Sequence, residues 1–217
     1  MKFGLIGYPI SHSLSPELFR KAYGGSWEYD LIETPDFEEA WARFLDGYKA
    51  VNVTMPFKGM AAARADIISE DVRTTGAANI LVRTDEGIRA HNSDVLAVRR
   101  ILKRFAPDSS VAVIGLGGAG KAALCAAGSM FKDVRAFHHD EIAGGLEADI
   151  IICTLPSCVP GLDRLESRCI IEANYKNPYL EHLEKEGTEY IPGMEWLKAQ
   201  AEEGYALMTG EQPHLLY

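Results

Sequence analysis

An α/β fold in two parts is what this sequence predicts, and three observations carry the prediction. Short apolar runs with strand character alternate with helical patterns through the first third of the chain, the signature of a sheet covered by helices. A further strand-like run, Val111 to Ile114, leads into a glycine-rich turn and an alanine-rich helical stretch. Between these two regions Pro107-Asp108-Ser109-Ser110 breaks the pattern and reads as a linker. With 217 residues and 47% hydrophobic content the chain can bury a real core, and of one large domain or two small ones, two small ones are expected.

Taken in order, Phe3 to Ile6, Tyr29 to Glu33 and Ala50 to Val53 are expected strands, separated by helices over Pro16 to Tyr23 and Phe37 to Leu45. Val51 and Val53 share one face of the third strand, which puts Asn52 and Thr54 on the other. Pro56 suits the first turn of a short helix through Phe57 and Ala61, with Lys58 projecting from the mouth of the sheet. Asn79 to Arg83 and Ile88 to His91 flank Asp85-Glu86-Gly87 as a hairpin, so this sheet is expected to be mixed. A long helix follows, with Asp94, Ala97, Val98, Ile101 and Phe105 on one face. In the second part, strands are expected at Val111 to Ile114, Val134 to Phe137, Ala148 to Thr154 and Cys169 to Asn174. A short helix over Leu180 to Glu186 and a longer amphipathic one over Met194 to Leu207 complete the chain. Only about ten residues connect the second and third of these strands, near the lower limit for a parallel crossover.

A formal charge of −9 argues against nucleic acid or an anionic membrane as partner, since both reward basic surfaces, and favours a small molecule. Cys125, Cys153, Cys158 and Cys169 lie in apolar surroundings without repeated short pairing. They are expected to be reduced, buried thiols, neither a disulfide framework nor a zinc site. The chain enters a strand-like run at once, and no apolar stretch approaches the length of a signal core or a membrane span, so a soluble cytoplasmic protein is expected.

Chemistry concentrates in a few segments. In Asn52-Val53-Thr54-Met55-Pro56-Phe57-Lys58 two polar side chains and a proline position a lysine just past a strand end. Alone, that lysine is most simply a surface residue with a solvated head. The run Gly115-Leu116-Gly117-Gly118-Ala119-Gly120 sits between a buried strand and a helix, the context a dinucleotide-binding turn needs. Gly115 permits the tight turn, Gly117 lets the backbone approach a pyrophosphate, and Gly120 allows close helix packing. In the last helix Gln200 shares a face with Leu197, Ala201, Gly204 and Tyr205, placing an amide where a core residue is expected.

Taken together, Gly7-Tyr8-Pro9-Ile10-Ser11-His12-Ser13-Leu14-Ser15-Pro16, the Asn52 to Lys58 segment, Gly76-Ala77-Ala78-Asn79, His91-Asn92-Ser93-Asp94, the glycine-rich turn and Gln200 resemble the shikimate dehydrogenase family. The resemblance covers nearly the whole chain in outline. It implies a mixed-sheet substrate domain (residues 1–98 and 194–217), a reduced Rossmann-like nucleotide domain (99–193), and a cleft between them. By matching positions, Ser13 and Ser15 resemble the hydroxyl pair that holds a substrate carboxylate. Two hydroxyls ahead of a helix can donate to one carboxylate, and Ser15 also suits the cap of that helix. Thr54, Asn79 and Gln200 resemble the binders of ring hydroxyls, and Tyr175 a tyrosine near substrate and nicotinamide. Lys58 and Asp94 resemble the catalytic pair, an ammonium that protonates the nascent alkoxide and a carboxylate that orients it.

The implied activity is reversible, NADP-dependent reduction of 3-dehydroshikimate to shikimate in the aromatic amino-acid pathway, by a cytoplasmic monomer or homodimer. A quinate or related polyol-acid dehydrogenase, and a shikimate-binding module with weak or lost redox activity, are the alternatives. Gly115, Gly117, Gly118, Ala119, Gly120, His138 and His139 would contact the cofactor. The match weakens at His138-His139-Asp140. There the family places an Asn-Arg-Thr run whose arginine grips the 2′-phosphate of NADP. His139 is a poor substitute for a guanidinium, and Asp140 could hold a ribose 2′-hydroxyl instead. A weaker NADP preference, with NAD possible, is therefore expected. The short connection to Ala148 further suggests that a helix of the family's fold is missing.

Overall fold

Why the first region folds as it does is visible in the alternation along its strands. In the computed structural model, which describes residues 1–214, β1 (Lys2–Gly7), β2 (Glu28–Glu33), β3 (Ala50–Val53), β4 (Ile67–Ile68), β5 (Ile80–Thr84) and β6 (Gly87–His91) form one sheet in the order β2-β1-β3-β5-β6-β4. β1 runs parallel to β2 and β3, whereas β5 is antiparallel to both β3 and β6, so the sheet is mixed as expected. Successive residues point to opposite faces. Ile6, Val51, Val53 and Leu81 join a core with α2 (Phe37–Leu45) and α3 (Lys58–Arg64). Phe3, Ala50, Ile80 and Val82 join another with α1 (Ser15–Tyr23) and the last helix, α7 (Gly193–Thr209).

The helix α2 illustrates the local logic. Phe37, Ala40, Trp41 and Phe44 recur at helical spacing and all are buried. Asp36 caps the helix by accepting the N–H of Glu38 at 2.9 Å. Two elements depart from the sequence expectation. Pro56 is not in the helix, which begins at Lys58. It lies in the preceding turn, closed by the N–H of Phe57 on the carbonyl of Thr54 at 3.0 Å. The stretch after Arg64 supplies β4 and a six-residue helix, α4 (Glu70–Thr75), neither of which periodicity revealed. α4 has a single apolar residue, Val72, and is defined by its ends, a Ser69 cap and Gly76 beyond its C-terminus.

The second region is a sheet of five parallel strands, β7 (Ser110–Ile114), β8 (Asp133–Phe137), β10 (Ile150–Cys153), β12 (Cys169–Glu172) and β13 (Glu189–Ile191), in the order β13-β12-β10-β7-β8. α5 (Ser93–Leu102) and α6 (Gly118–Gly128) contribute to the core on one face. α5 stops at Leu102, short of the expected Phe105, which still packs against that core from the following turn. Between β8 and β10 there is no helix, only turns and a two-residue strand, β9 (Leu146–Glu147), paired with β11 (Leu165–Glu166). The helix expected over Leu180 to Glu186 is reduced to one 3₁₀ turn, Glu181–Leu183, because only Leu180 and Leu183 offer apolar anchorage there.

The chain divides into two compact units, Met1–Ser93 with the stretch from Gln200 onward, and Asp94–Ala199. Cys153 and Cys169 are buried, and burial pushes the Cys169 thiol up to about 12. Cys158, against expectation, is exposed, and Cys125 is half-buried. Cys158 follows the polar turn after β10, where no strand or helix covers it. No helix of the described residues is long and apolar enough to cross a membrane. Among the same residues, no group of three or more His, Cys, Asp or Glu could hold a metal.

Candidate active site

Strand direction brings the polar segments of the first unit to one end of its sheet. β1 and β3 are parallel and end at Gly7 and Val53, while β5, antiparallel to β3, starts at Ile80. Backbone hydrogen bonds join the segments that leave this edge. The N–H of Thr54 donates to Ile6 (2.9 Å), that of Val53 to Asn79 (2.8 Å), that of Tyr8 to Met55 (3.1 Å), and that of Ala78 to Lys58 (2.9 Å). Gly7 makes room for this junction, since a Cβ there would stand 2.4 Å from Cγ2 of Thr54. Thr54 and Lys58 are both half-buried, and Lys58 opens α3.

Ser13 and Ser15 face each other at the start of α1, with the hydroxyl of Ser13 donating to that of Ser15 at 3.1 Å. Ser15 is not the cap. The cap position is Leu14, and it is Ser13 Oγ that accepts the N–H of Ser15 at 3.2 Å. The carbonyl of Ser15 is held in turn by the hydroxyl of buried Tyr205, from α7, at 3.1 Å. Asn52, on the same strand face as Thr54, is spent internally. Its Oδ1 accepts the hydroxyl of Tyr29 at 2.7 Å, and burial raises the Tyr29 phenol well above its usual range.

Asn79 and Gln200 meet through a residue that sequence reasoning passed over. Ser93 is fully buried, its N–H donates to Asn79 Oδ1 at 2.7 Å, its Oγ accepts from Asn79 Nδ2 at 3.0 Å, and it donates to Gln200 Oε1 at 3.3 Å. This bond accounts for the amide on the apolar face of α7. The one hint in the sequence was Ser93's place between Asn92 and Asp94 in a polar segment that precedes a helix.

The second unit carries the remaining candidates. Gly115 adopts φ +91°, and a Cβ on Gly120 would lie 1.8 Å from the Gly115 carbonyl oxygen, so this turn and α6 are in a contact only glycine permits. At Gly117 and Gly118, by contrast, a Cβ would meet nothing. Gly117 caps α6 without a side-chain hydrogen bond, and no acidic side chain occupies the first turn. Ala119 follows, half-buried against the core. An open backbone at the positive end of an eleven-residue helix fits a dinucleotide pyrophosphate.

The end of β8 fits a 2′-phosphate less well. His138 and His139 are exposed, and the backbone N–H of His138 donates to the Glu141 carboxylate at 2.6 Å. Residues 138–141 therefore bring two imidazoles and two carboxylates to the position, and no guanidinium. Asp94 lies in the first turn of α5, half-buried. Tyr175 follows β12, half-buried, with its phenol pushed up by burial. The loop carrying it is anchored by Glu172, a second residue missed from sequence. This buried carboxylate accepts the N–H groups of Tyr179 (3.0 Å) and Leu180 (3.2 Å) and the hydroxyl of Tyr190 (2.6 Å). A carboxylate so fully partnered is an anchor for the loop.

A family model described as the shikimate dehydrogenase substrate binding domain matches residues 5–81. The shikimate dehydrogenase (NADP(+)) of Pyrococcus abyssi is 37% identical over 131 residues, covering 55% of this chain and 48% of that relative. The chain thus spans about half the length of the first curated relatives it matches. The corresponding enzyme of Staphylococcus haemolyticus aligns throughout, 27% identical over 255 residues, with 100% of this chain and 95% of the relative covered. The crystal structure of shikimate 5-dehydrogenase from Thermus thermophilus in complex with NADP(H) and shikimate superposes with a TM-score of 0.84. It covers 99% of this chain and 95% of that one at 22% identity, a likeness of fold.

Proposed function

We propose that the chain is a member of the shikimate dehydrogenase family, to which its sequence is similar, and that it catalyses the reversible, NADP(H)-dependent reduction of 3-dehydroshikimate to shikimate. The observation that carries this reading is the gathering of Ser13, Ser15, Thr54, Lys58 and Asn79 at one end of the mixed sheet, with Gln200 joined to Asn79 through Ser93. Ser13 and Ser15 hold the carboxylate by donated hydroxyl bonds, and Thr54, Asn79 and Gln200 hold ring hydroxyls. Tyr175 packs beside substrate and nicotinamide. The bound nicotinamide dinucleotide supplies the hydride to the carbonyl carbon. As the C=O electron pair moves onto oxygen, the ammonium of Lys58 gives that oxygen its proton and stabilises the developing charge. Asp94 is the second catalytic residue of this reading and holds the neighbouring hydroxyl.

Gly115, Gly117, Gly118, Ala119 and Gly120 hold the pyrophosphate, and His138 and His139 border the adenosine ribose. With carboxylates in place of an arginine there, NADP is preferred less strongly than in arginine-bearing relatives, and NAD is also accepted. The protein works in the cytoplasm on a small molecule, as a monomer or homodimer. One specific observation, the helix-free connection from β8 to β10, favours a second reading, a shikimate-binding module with weak or lost redox activity. Calorimetric titration with shikimate, NADP and NAD separates the two. The dehydrogenase binds acid and dinucleotide, whereas a binding module takes shikimate alone.

A further inference from the structure

We propose that Ser93 is a positioning residue that sets the hydrogen-bond polarity of the polyol site, so that Asn79 and Gln200 present N–H donors and select ligand oxygens that accept. The inference rests on the reading of this sheet end as a polyol-acid site and specifies how that site reads its ligand. An amide side chain can ordinarily turn over and offer either its carbonyl or its NH₂. Here one fixed donor removes that freedom. The backbone N–H of Ser93 can only donate, and it donates to Asn79 Oδ1 at 2.7 Å. Asn79 Nδ2 must then face the other way, toward Ser93 Oγ at 3.0 Å. Having accepted that bond, the hydroxyl directs its single proton to Gln200 Oε1 at 3.3 Å.

The chain of bonds therefore runs in one direction, from Asn79 through Ser93 to Gln200. Both amide carbonyls are engaged, which leaves the second Nδ2 hydrogen of Asn79 and both Nε2 hydrogens of Gln200. Burial makes the direction binding, since Ser93 is 0% exposed and Asn79 4%, and no solvent replaces a reversed bond. Backbone contacts pin Asn79 as well. Its carbonyl accepts from Val53 at 2.8 Å and its N–H donates to His91 at 3.0 Å. On the other side, Gly204 lies one helical turn beyond Gln200, and a Cβ there would stand 3.1 Å from Ser93 Oγ and 2.8 Å from Cδ1 of Ile80. That glycine is what lets α7 bring Gln200 within reach of Ser93.

The test is calorimetric titration of shikimate into the whole wild-type chain and its Ser93→Ala, Ser93→Thr and Gln200→Glu variants, with steady-state kinetics and a thermal melt of each. Ser93→Ala keeps the backbone N–H on Asn79 Oδ1 but removes the hydroxyl between Asn79 Nδ2 and Gln200 Oε1, so it frees the Gln200 amide to turn and is expected to weaken shikimate binding about tenfold, with the loss in KM and kcat changed less than about threefold. Ser93→Thr keeps the hydroxyl and is expected to bind as the wild type does. Gln200→Glu, which replaces the donors by an acceptor at a half-buried site, is expected to lose at least as much as Ser93→Ala and keeps the test decisive should Ser93→Ala not fold. Shikimate affinity of Ser93→Ala or Gln200→Glu within twofold of wild type overturns the proposal. A Ser93→Thr variant as weak as Ser93→Ala assigns Ser93 to packing and overturns it too. If the wild type binds no shikimate, the functional reading falls and takes the proposal with it.

Discussion

The two units build their candidate ligand sites by different physical means. The polar end of the mixed sheet is built from side chains, Ser13 on Ser15, Tyr205 on the Ser15 carbonyl, Asn79 on Ser93, and Ser93 on Gln200. The glycine-rich turn of the parallel sheet is built from backbone, with Gly120 pressed against Gly115 and open space over Gly117 and Gly118. A side-chain site can be altered one group at a time and reads the pattern of oxygens in a ligand. A backbone site recognises a pyrophosphate through geometry and helix polarity, which nearly any first-turn sequence without bulk can supply. Its selectivity falls to the rim, here residues 138–141, which carry two imidazoles and two carboxylates and no guanidinium.

Substitutions can break that contrast, beginning with the largest expected effect. Gly120→Ala forces a Cβ into the 1.8 Å approach to the Gly115 carbonyl. It should destabilise the second unit by about 1–3 kcal/mol and abolish measurable dinucleotide binding, read by denaturant titration and calorimetry. Gly117→Ala, by contrast, should leave stability within about 0.5 kcal/mol of wild type, because its Cβ enters open space. His139→Arg combined with Glu141→Gln should raise the NADP-to-NAD ratio of kcat/KM about tenfold, as a charge-assisted contact to the 2′-phosphate replaces a carboxylate.

The smallest effect concerns His91, at the end of β6. Burial, and then the charge of Arg89, lower its pKa. The folded state therefore binds a proton less readily than the unfolded state. Stability from this group is complete above the ordinary histidine value of about 6.5 and declines as pH falls through it. His91→Gln should flatten the dependence of the melting temperature between pH 7.5 and 5.5, by no more than about 2 °C for a half-exposed group.

Periodicity made the large elements legible. α2 and β3 lie where the apolar spacing of Phe37 to Leu45 and Ala50 to Val53 puts them, because their faces are buried by long-range packing with a regular repeat. α4 was hidden because a single valine defines no period, and its cap and terminal glycine carry the information instead. In the site, Gln200 was visible as an anomaly but its explanation was not. The bonds that justify it connect positions 79, 93 and 200, and no local pattern encodes partners so far apart. Glu172 escaped for the same reason, ending an apolar strand yet satisfied by Tyr179, Leu180 and Tyr190.

Nicotinamide absorbance with shikimate and NADP, recorded for the wild type beside Lys58→Ala and Asp94→Ala, decides whether the side-chain site performs redox chemistry on a cyclic polyol acid with Lys58 as proton donor. Turnover is expected for the wild type, with a fall in kcat of about 10²- to 10⁴-fold in Lys58→Ala and a loss of the same sign in Asp94→Ala. Equal rates in all three proteins would remove Lys58 and Asp94 from the reaction.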